Sequence, residues 1–94
     1  MLAGVTLSIT VPSVPAGATA VVLNVTVTNT TAASYLTAWP TGARQPLASD
    51  LNWVAGETVP NLVVVELGSG GALSIYNYAG STDVIVDVEG YYTG

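Results

Sequence analysis

The sequence contains no cysteine, no histidine and no lysine, and Arg44 is its only basic residue. Without cysteine the chain can form neither a disulfide nor a thiolate metal site. The missing histidine excludes hydrolysis by a Ser-His-Asp catalytic triad, and the missing lysine excludes hydrolysis by a variant that uses lysine as the base. Zinc, copper and iron sites are disfavoured because they depend on His and Cys ligands.

Positive charge is nearly absent, and the net charge is −5. Affinity for nucleic acid and for anionic lipid comes largely from Lys and Arg, so both partners are disfavoured. The first residues, MLAGVTLSITV, lack the basic and continuous apolar parts of a signal peptide. No apolar run reaches the roughly 18 residues of a membrane span. We therefore expect no nucleic-acid partner and no membrane insertion.

Charged residues of both signs make up only 7% of the chain, whereas half of the residues are apolar. Ordinary soluble domains have about 25% charged residues, so this surface must consist mainly of small and neutral polar residues. Large exposed apolar areas are rarely left uncovered. We therefore expect self-association, or contact with other modules of the same chain.

Apolar and polar residues alternate with period two along most of the chain, and no helical period is present. Val21, Leu23, Val25 and Val27, for example, share one face of a predicted strand. About seven such segments predict an all-β fold, an antiparallel β-sandwich, with a small β-barrel as the alternative. Residues 1–94 are expected to form one module with an ordered core from about 5 to 92. The segments 59–67 and 72–78, joined by GSGG, predict a hairpin.

Three of the six acidic residues lie in the last predicted strand, within TDVIVDVEGYY. Because residues two apart share a face, Asp83, Asp87 and Glu89 are predicted to lie together with Tyr91, and the intervening valines to face the core. A catalytic acid and base need different surroundings, which the Thr, Ile and Gly neighbours do not supply. We therefore predict a solvated face, no catalytic residues and no enzyme.

Calcium is the one metal that the acidic residues leave open, because it binds oxygen ligands. Asp50, Asp83, Asp87 and Glu89 are its candidate ligands, although no loop has the spacing D-x-D-x-D-G. We expect no other metal and no cofactor.

Aromatic residues are the strongest candidates for binding, because Tyr and Trp faces stack on sugars and peptides. Tyr35 and Trp39 share a face of one predicted strand, and Tyr76 and Tyr78 share a face of another. The candidate ligand-binding residues are Tyr35, Trp39, Asn52, Trp53, Tyr76 and Tyr78. For each tryptophan, packing in the core or against a sheet is the favoured interpretation, and ligand binding is the alternative.

Four segments, AVVLNVTVTN, YLTAWPTG, LNWVAGETVPNLVVV and DVIVDVEGYY, together resemble a known module. It is a β-module of secreted and cell-surface proteins of actinobacteria, repeated or appended to cell-wall amidases, peptidases and other exported enzymes. The resemblance covers the chain from about Val14 to Tyr92 and implies export and a non-catalytic role. Some relatives have cysteines at the positions of Thr41 and Ser74, which implies that these two residues are neighbours here.

These observations favour a non-catalytic extracellular or cell-surface module of a larger exported protein, acting as spacer, surface adhesion or self-assembly unit. The alternative is a carbohydrate-binding or cell-wall-binding module that uses surface Trp and Tyr. Cell-wall polysaccharide would then be the partner.

Overall fold

A computed structural model describes residues 1–11 and 14–94 and shows an all-β protein with two antiparallel sheets. Its strands are β1 (Val5–Thr10), β2 (Ala18–Thr28), β3 (Ser34–Pro40), β4 (Leu51–Trp53), β5 (Val59–Glu66), β6 (Ala72–Asn77) and β7 (Asp83–Thr93). A short 3-10 turn, Ser69–Gly71, precedes β6. This arrangement confirms the predicted β-sandwich. Within the described residues, no helix has the length and apolar character needed to cross a membrane.

β2 occupies the centre of the three-stranded sheet, between β5 and β7. Both neighbours run antiparallel to it. In the four-stranded sheet the order is β1, β6, β3, β4. β5 also contacts β3 and β4 across the sandwich, so the strand orders place β7 on the same side of the molecule as β1.

The inner face of β2 supplies the centre of the core. Val21, Leu23, Val25 and Val27 are each at most 1% exposed. The residues between them form the outer face, because successive residues of a strand point to opposite sides. Burying one such side chain stabilises by roughly 1.5–3 kcal/mol, so the four contribute roughly 6–12 kcal/mol against the entropy cost of folding.

The predicted hairpin between residues 59–67 and 72–78 is wrong. β5 pairs with β2, whereas β6 pairs with β1 and β3, so the turn between them carries the chain to the other sheet. Two backbone hydrogen bonds direct the turn: Ser69 N–H donates to Thr41 O, and Gly68 N–H donates to Ala72 O, both at 2.9 Å. Gly68 approaches the Thr41 backbone so closely that a side chain there would collide with it.

β7 contains a bulge at Glu89, which has no partner on β2, whereas the residues before and after it do. The extra residue reverses the alternation beyond this point. Tyr91 therefore pairs with the buried Val21 and lies on the inner side of the sheet. For this reason the prediction that Tyr91 shares a face with Asp83 and Asp87 is wrong, although both acids lie on the outer face and are exposed.

Asn77, the last residue of β6, is fully buried and joins three parts of the chain. Its Oδ1 accepts a hydrogen bond from Ser34 Oγ at 3.0 Å, and its Nδ2 donates to Gly80 O at 3.1 Å and Met1 O at 3.3 Å. Thr82 N–H donates to Met1 O at 3.0 Å. A buried amide is costly unless it is paired, and these bonds also hold the segment before β1 beside the start of β7.

Thr41 and Ser74 are neighbours, as the resemblance implied. Thr41 follows β3, and Ser74 lies on the adjacent strand β6. Their hydroxyl oxygens lie 2.9 Å apart, and Ser8 Oγ on β1 lies 3.2 Å from Thr41 Oγ1. This chain therefore has a short row of hydroxyl groups that runs from β1 across β6 to the residue after β3.

The double variant Thr41→Cys with Ser74→Cys should form a disulfide on oxidation. Because the positions are 33 residues apart, the loss of chain entropy in the unfolded state should stabilise the fold by up to about 3–4 kcal/mol. A thermal melt should show a midpoint about 10 °C higher or more, lost on adding reductant. The two single variants serve as controls, and two thiols that stay free under oxidation would contradict the geometry.

Candidate functional site

Three tyrosines form a cluster on the outer face of the four-stranded sheet. Tyr35 lies on β3, Tyr76 lies on the adjacent β6, and Tyr78 follows that strand. The ring centroids of Tyr35 and Tyr78 are 4.9 Å apart with planes 18° from parallel, and those of Tyr35 and Tyr76 are 6.4 Å apart at 52°. We call these three residues the tyrosine cluster.

The backbone holds Tyr78 in this position although it lies beyond β6. Tyr78 N–H donates to Tyr35 O at 3.3 Å, and Ala79 N–H donates to Ser34 Oγ at 2.9 Å. Tyr78 is 57% exposed, whereas Tyr35 and Tyr76 are half-buried. The cluster therefore offers solvent a wide aromatic surface on a fixed support.

Asn52 lies at the edge of the tyrosine cluster. It pairs with Tyr35 in the β3–β4 ladder and is exposed. Its side-chain oxygen accepts a hydrogen bond from Ser49 Oγ at 3.1 Å. The amide nitrogen of this exposed side chain is a donor beside the aromatic rings, which is the combination that sugar hydroxyls require.

Trp39 does not contribute a surface ring: its burial agrees with the favoured interpretation, packing, and does not fit its candidacy for ligand binding. It pairs with Ser74 on the outer side of the sheet, yet it is only 7% exposed. The loop between β3 and β4 folds back over this side: Thr37 Oγ1 donates to Ala48 O at 3.2 Å, and Ala38 N–H donates to Asp50 Oδ2 at 2.7 Å. These bonds hold the loop beside β3 on both sides of Trp39 in the sequence.

Trp53 is also unavailable to a ligand, and this candidate is corrected too. It belongs to the core cluster and is 5% exposed. Its Nε1 has no hydrogen-bond partner among the described residues. An unpaired buried donor costs about 1–3 kcal/mol, so packing rather than hydrogen bonding holds this ring.

The four candidate calcium ligands do not come together at one site: one lies apart from the other three, and those three are spread along a single strand. Asp50 precedes β4 in the four-stranded sheet, whereas Asp83, Asp87 and Glu89 lie on β7 in the other sheet. Asp83 Oδ2 accepts a hydrogen bond from Asn29 Nδ2 at 2.8 Å. Among residues 1–11 and 14–94, no group of three or more carboxylate, His or Cys side chains is placed to hold a metal ion.

A cleft of about 280 Å³ opens at one end of the sandwich. It is lined by Thr10, Val11, Val14, Pro15, Ala16, Ala18, Leu67, Gly70 and Gly71. None of these side chains is ionisable, so they supply no acid, base or metal ligand.

Two features of the surface were not predicted from the sequence. The outer face of the three-stranded sheet exposes Leu62 and Val64, and the side of the sandwich between β1 and β7 exposes the inward-facing Leu7 and Val88. The run LVVV in β5 is a partial signal for the first feature, because it does not alternate with polar residues. The exposure of Leu7 and Val88 depends on which strands lie at the sheet edges, and alternation does not indicate this.

Comparisons with models of protein families, with curated proteins and with solved structures give no match.

The burial of both tryptophans predicts weak quenching of their fluorescence by acrylamide in the native state. The quenching constant should rise several-fold when the protein is unfolded, because both rings then meet solvent. Trp39→Phe and Trp53→Phe would assign the signal to each ring. Native quenching as strong as that of a free tryptophan derivative would contradict the positions described above.

Proposed function

We propose that the protein is a non-catalytic module of an exported, cell-surface protein, and that it assembles with other copies or modules through one sheet face. The observation that carries this proposal is an apolar face on the outside of the three-stranded sheet. This face consists of Val22, Leu62, Val64, Ile85 and Tyr92. Leu62 is 62% exposed and Val64 is 59% exposed.

The apolar face extends over all three strands of its sheet. Val64 of β5 pairs with Val22 of β2, and Leu62 lies two residues away on the same side of β5. β7 adds Ile85, opposite Thr26. Cross-strand neighbours lie about 5 Å apart, so Val22, Val64 and Leu62 form one apolar patch, and Asn24, Thr26 and Asp87 lie between this patch and Ile85.

A flat apolar sheet face of this kind is suited to packing against another sheet. Two sheets pack face to face about 10 Å apart with interdigitating side chains. The same outer face also carries Glu66, Asp83 and Asp87, so the contact must be centred on the Val22, Leu62 and Val64 side chains, away from Asp83. The resemblance to modules that occur in repeats supports a neighbour of the same kind, and it also supports the extracellular location.

The double variant Leu62→Ser with Val64→Ser should weaken self-association at least about tenfold, because each apolar side chain buried contributes roughly 1.5–3 kcal/mol. Sedimentation velocity over a concentration series measures this. Leu47→Ser is the matched control, since Leu47 is fully exposed on the loop between β3 and β4, outside the apolar face.

The dependence of self-association on salt concentration is a second test of the proposal. Copies with a net charge of −5 repel each other, so added salt should strengthen the association by screening. A protein that stays monomeric at high concentration in both low and high salt would contradict self-assembly.

The tyrosine cluster supports a second candidate function, binding of cell-wall polysaccharide. Sugars present an apolar ring face and a rim of hydroxyl groups, which match an exposed aromatic ring beside an amide donor. Tyr78 and Asn52 supply these two groups. Both tryptophans are buried, so this candidate depends on the tyrosines alone.

Tyr78→Ala should reduce binding to purified cell-wall polysaccharide by about tenfold, because stacking and desolvation of one ring are lost. Tyr92→Ala is the matched control, because Tyr92 has the same exposed fraction, 57%, on the other sheet. A pull-down and a titration with the soluble polysaccharide measure both. Equal binding by the two variants would contradict a site at the tyrosine cluster.

A further inference from the structure

The two sides of the sandwich differ in how they are closed. On one side β5 contacts β3 and β4, and Asn61 Nδ2 donates to Asp50 O at 2.7 Å. On the other side the edge strands are β1 and β7. There the inward-facing Leu7 is 45% exposed and the inward-facing Val88 is 39% exposed. We call this the open side.

β7 pairs with β2 along one edge only, although it is 11 residues long. In an antiparallel strand, alternate residues direct their N–H and C=O groups to opposite neighbours. About half of the residues of β7 therefore present these groups to the open side. The bulge at Glu89 interrupts the regular strand at one end, and at the other end Met1 already exchanges backbone hydrogen bonds with Thr82, so the regular free edge lies between them, within Asp83–Val88.

The other edge strands are less suited to accept a further strand. β4 has only three residues, and β5 contains Pro60, which has no N–H to donate. β1 has six residues and a neutral outer face of Thr and Ser. The sheet that ends in β7 is also one strand smaller than the sheet that ends in β1.

The acidic residues of β7 indicate which kind of strand can pair with its free edge. Asp83 and Asp87 are exposed on the outer face of the edge segment. Pairing two copies through β7 would bring acids close to acids, which destabilises a cross-strand arrangement. The chain has no lysine, and its only arginine lies in the loop between β3 and β4. The complementary strand is therefore a basic one, and residues 1–94 contain no such segment.

We propose that Asp83–Val88 binds an extended peptide segment of a partner protein, in which apolar residues alternate with lysine or arginine, as a fourth strand of the β5-β2-β7 sheet. The backbone groups of the peptide pair with the free edge of β7, as in other cases of strand addition. Its apolar side chains enter the open side and cover Leu7 and Val88. Its basic side chains lie near Asp83 and Asp87, which are about 13 Å apart along the strand.

A short, fluorescently labelled peptide in which lysine and valine alternate strictly tests the proposal by fluorescence anisotropy. Saturable binding is expected, and Asp87→Lys should weaken it by about tenfold. Glu66→Lys is the matched control: it makes the same change of charge at the opposite edge strand of the same sheet, so it should bind within about twofold of the unmodified protein. Melting curves establish that both variants are folded.

Two further peptides separate strand addition from plain charge attraction. A peptide of the same composition with its valines and lysines in two blocks, and an alternating peptide with glutamate in place of lysine, should both bind at least about tenfold more weakly. Equal binding by the blocked peptide, or equal loss in the two lysine variants, would overturn the proposal.

Hydrogen exchange identifies the edge that is occupied. Amides of residues 83–88 should exchange more slowly when the alternating peptide is bound. Protection at the tyrosine cluster or on β1 instead would overturn the proposal. Protection of β7 without peptide, increasing with protein concentration, would show that a second copy occupies the edge and would also overturn it.

Discussion

Strand β2 buries four aliphatic side chains on one face while it pairs with a strand on each side, and this double requirement fixes the positions of the other elements. A slip of one residue would turn Val21, Leu23, Val25 and Val27 to solvent. The same four residues determine the registers of β5 and β7, because both pair directly with β2. The four-stranded sheet packs against this inner face of β2.

The end of the sandwich at which β7 begins is closed by polar groups rather than by further apolar contacts. Asn77 is buried and satisfied by three hydrogen bonds from different parts of the chain. Buried polar groups with every partner present tend to specify one arrangement of the segments that they join. This network therefore complements the row of hydroxyl groups at Thr41 and Ser74, which closes the opposite end of β6.

Alternation in the sequence was sufficient to predict the strands, the two-layer fold and the inner face of β2, because burial follows local period. Alternation does not indicate which strands pair. For this reason the segments on either side of the turn at Gly68 resemble a hairpin in the sequence, although they belong to different sheets. Trp39 shows a second limit of sequence patterns. Alternation predicts that Trp39 shares a face with Tyr35, but it does not predict that Trp39 is buried on the outer side of its sheet. The sequence predicts that Tyr76 and Tyr78 share a face, since they lie two residues apart, but that Tyr35 lies beside them depends on the pairing of β3 with β6.

The bulge at Glu89 divides β7 into two parts whose orientations are independent. The residues before it are fixed by the buried partners on β2, whereas those after it depend on the one inserted position. Deleting Glu89 would remove the bulge and leave Gly90, Tyr91 and Tyr92 with their present partners on β2, whereas pairing of Glu89 itself with Val22 would turn Tyr91 outward and Tyr92 inward. The composition of the outer surface near the end of the strand thus depends on whether Glu89 stays outside the ladder, and not on the identity of any side chain there.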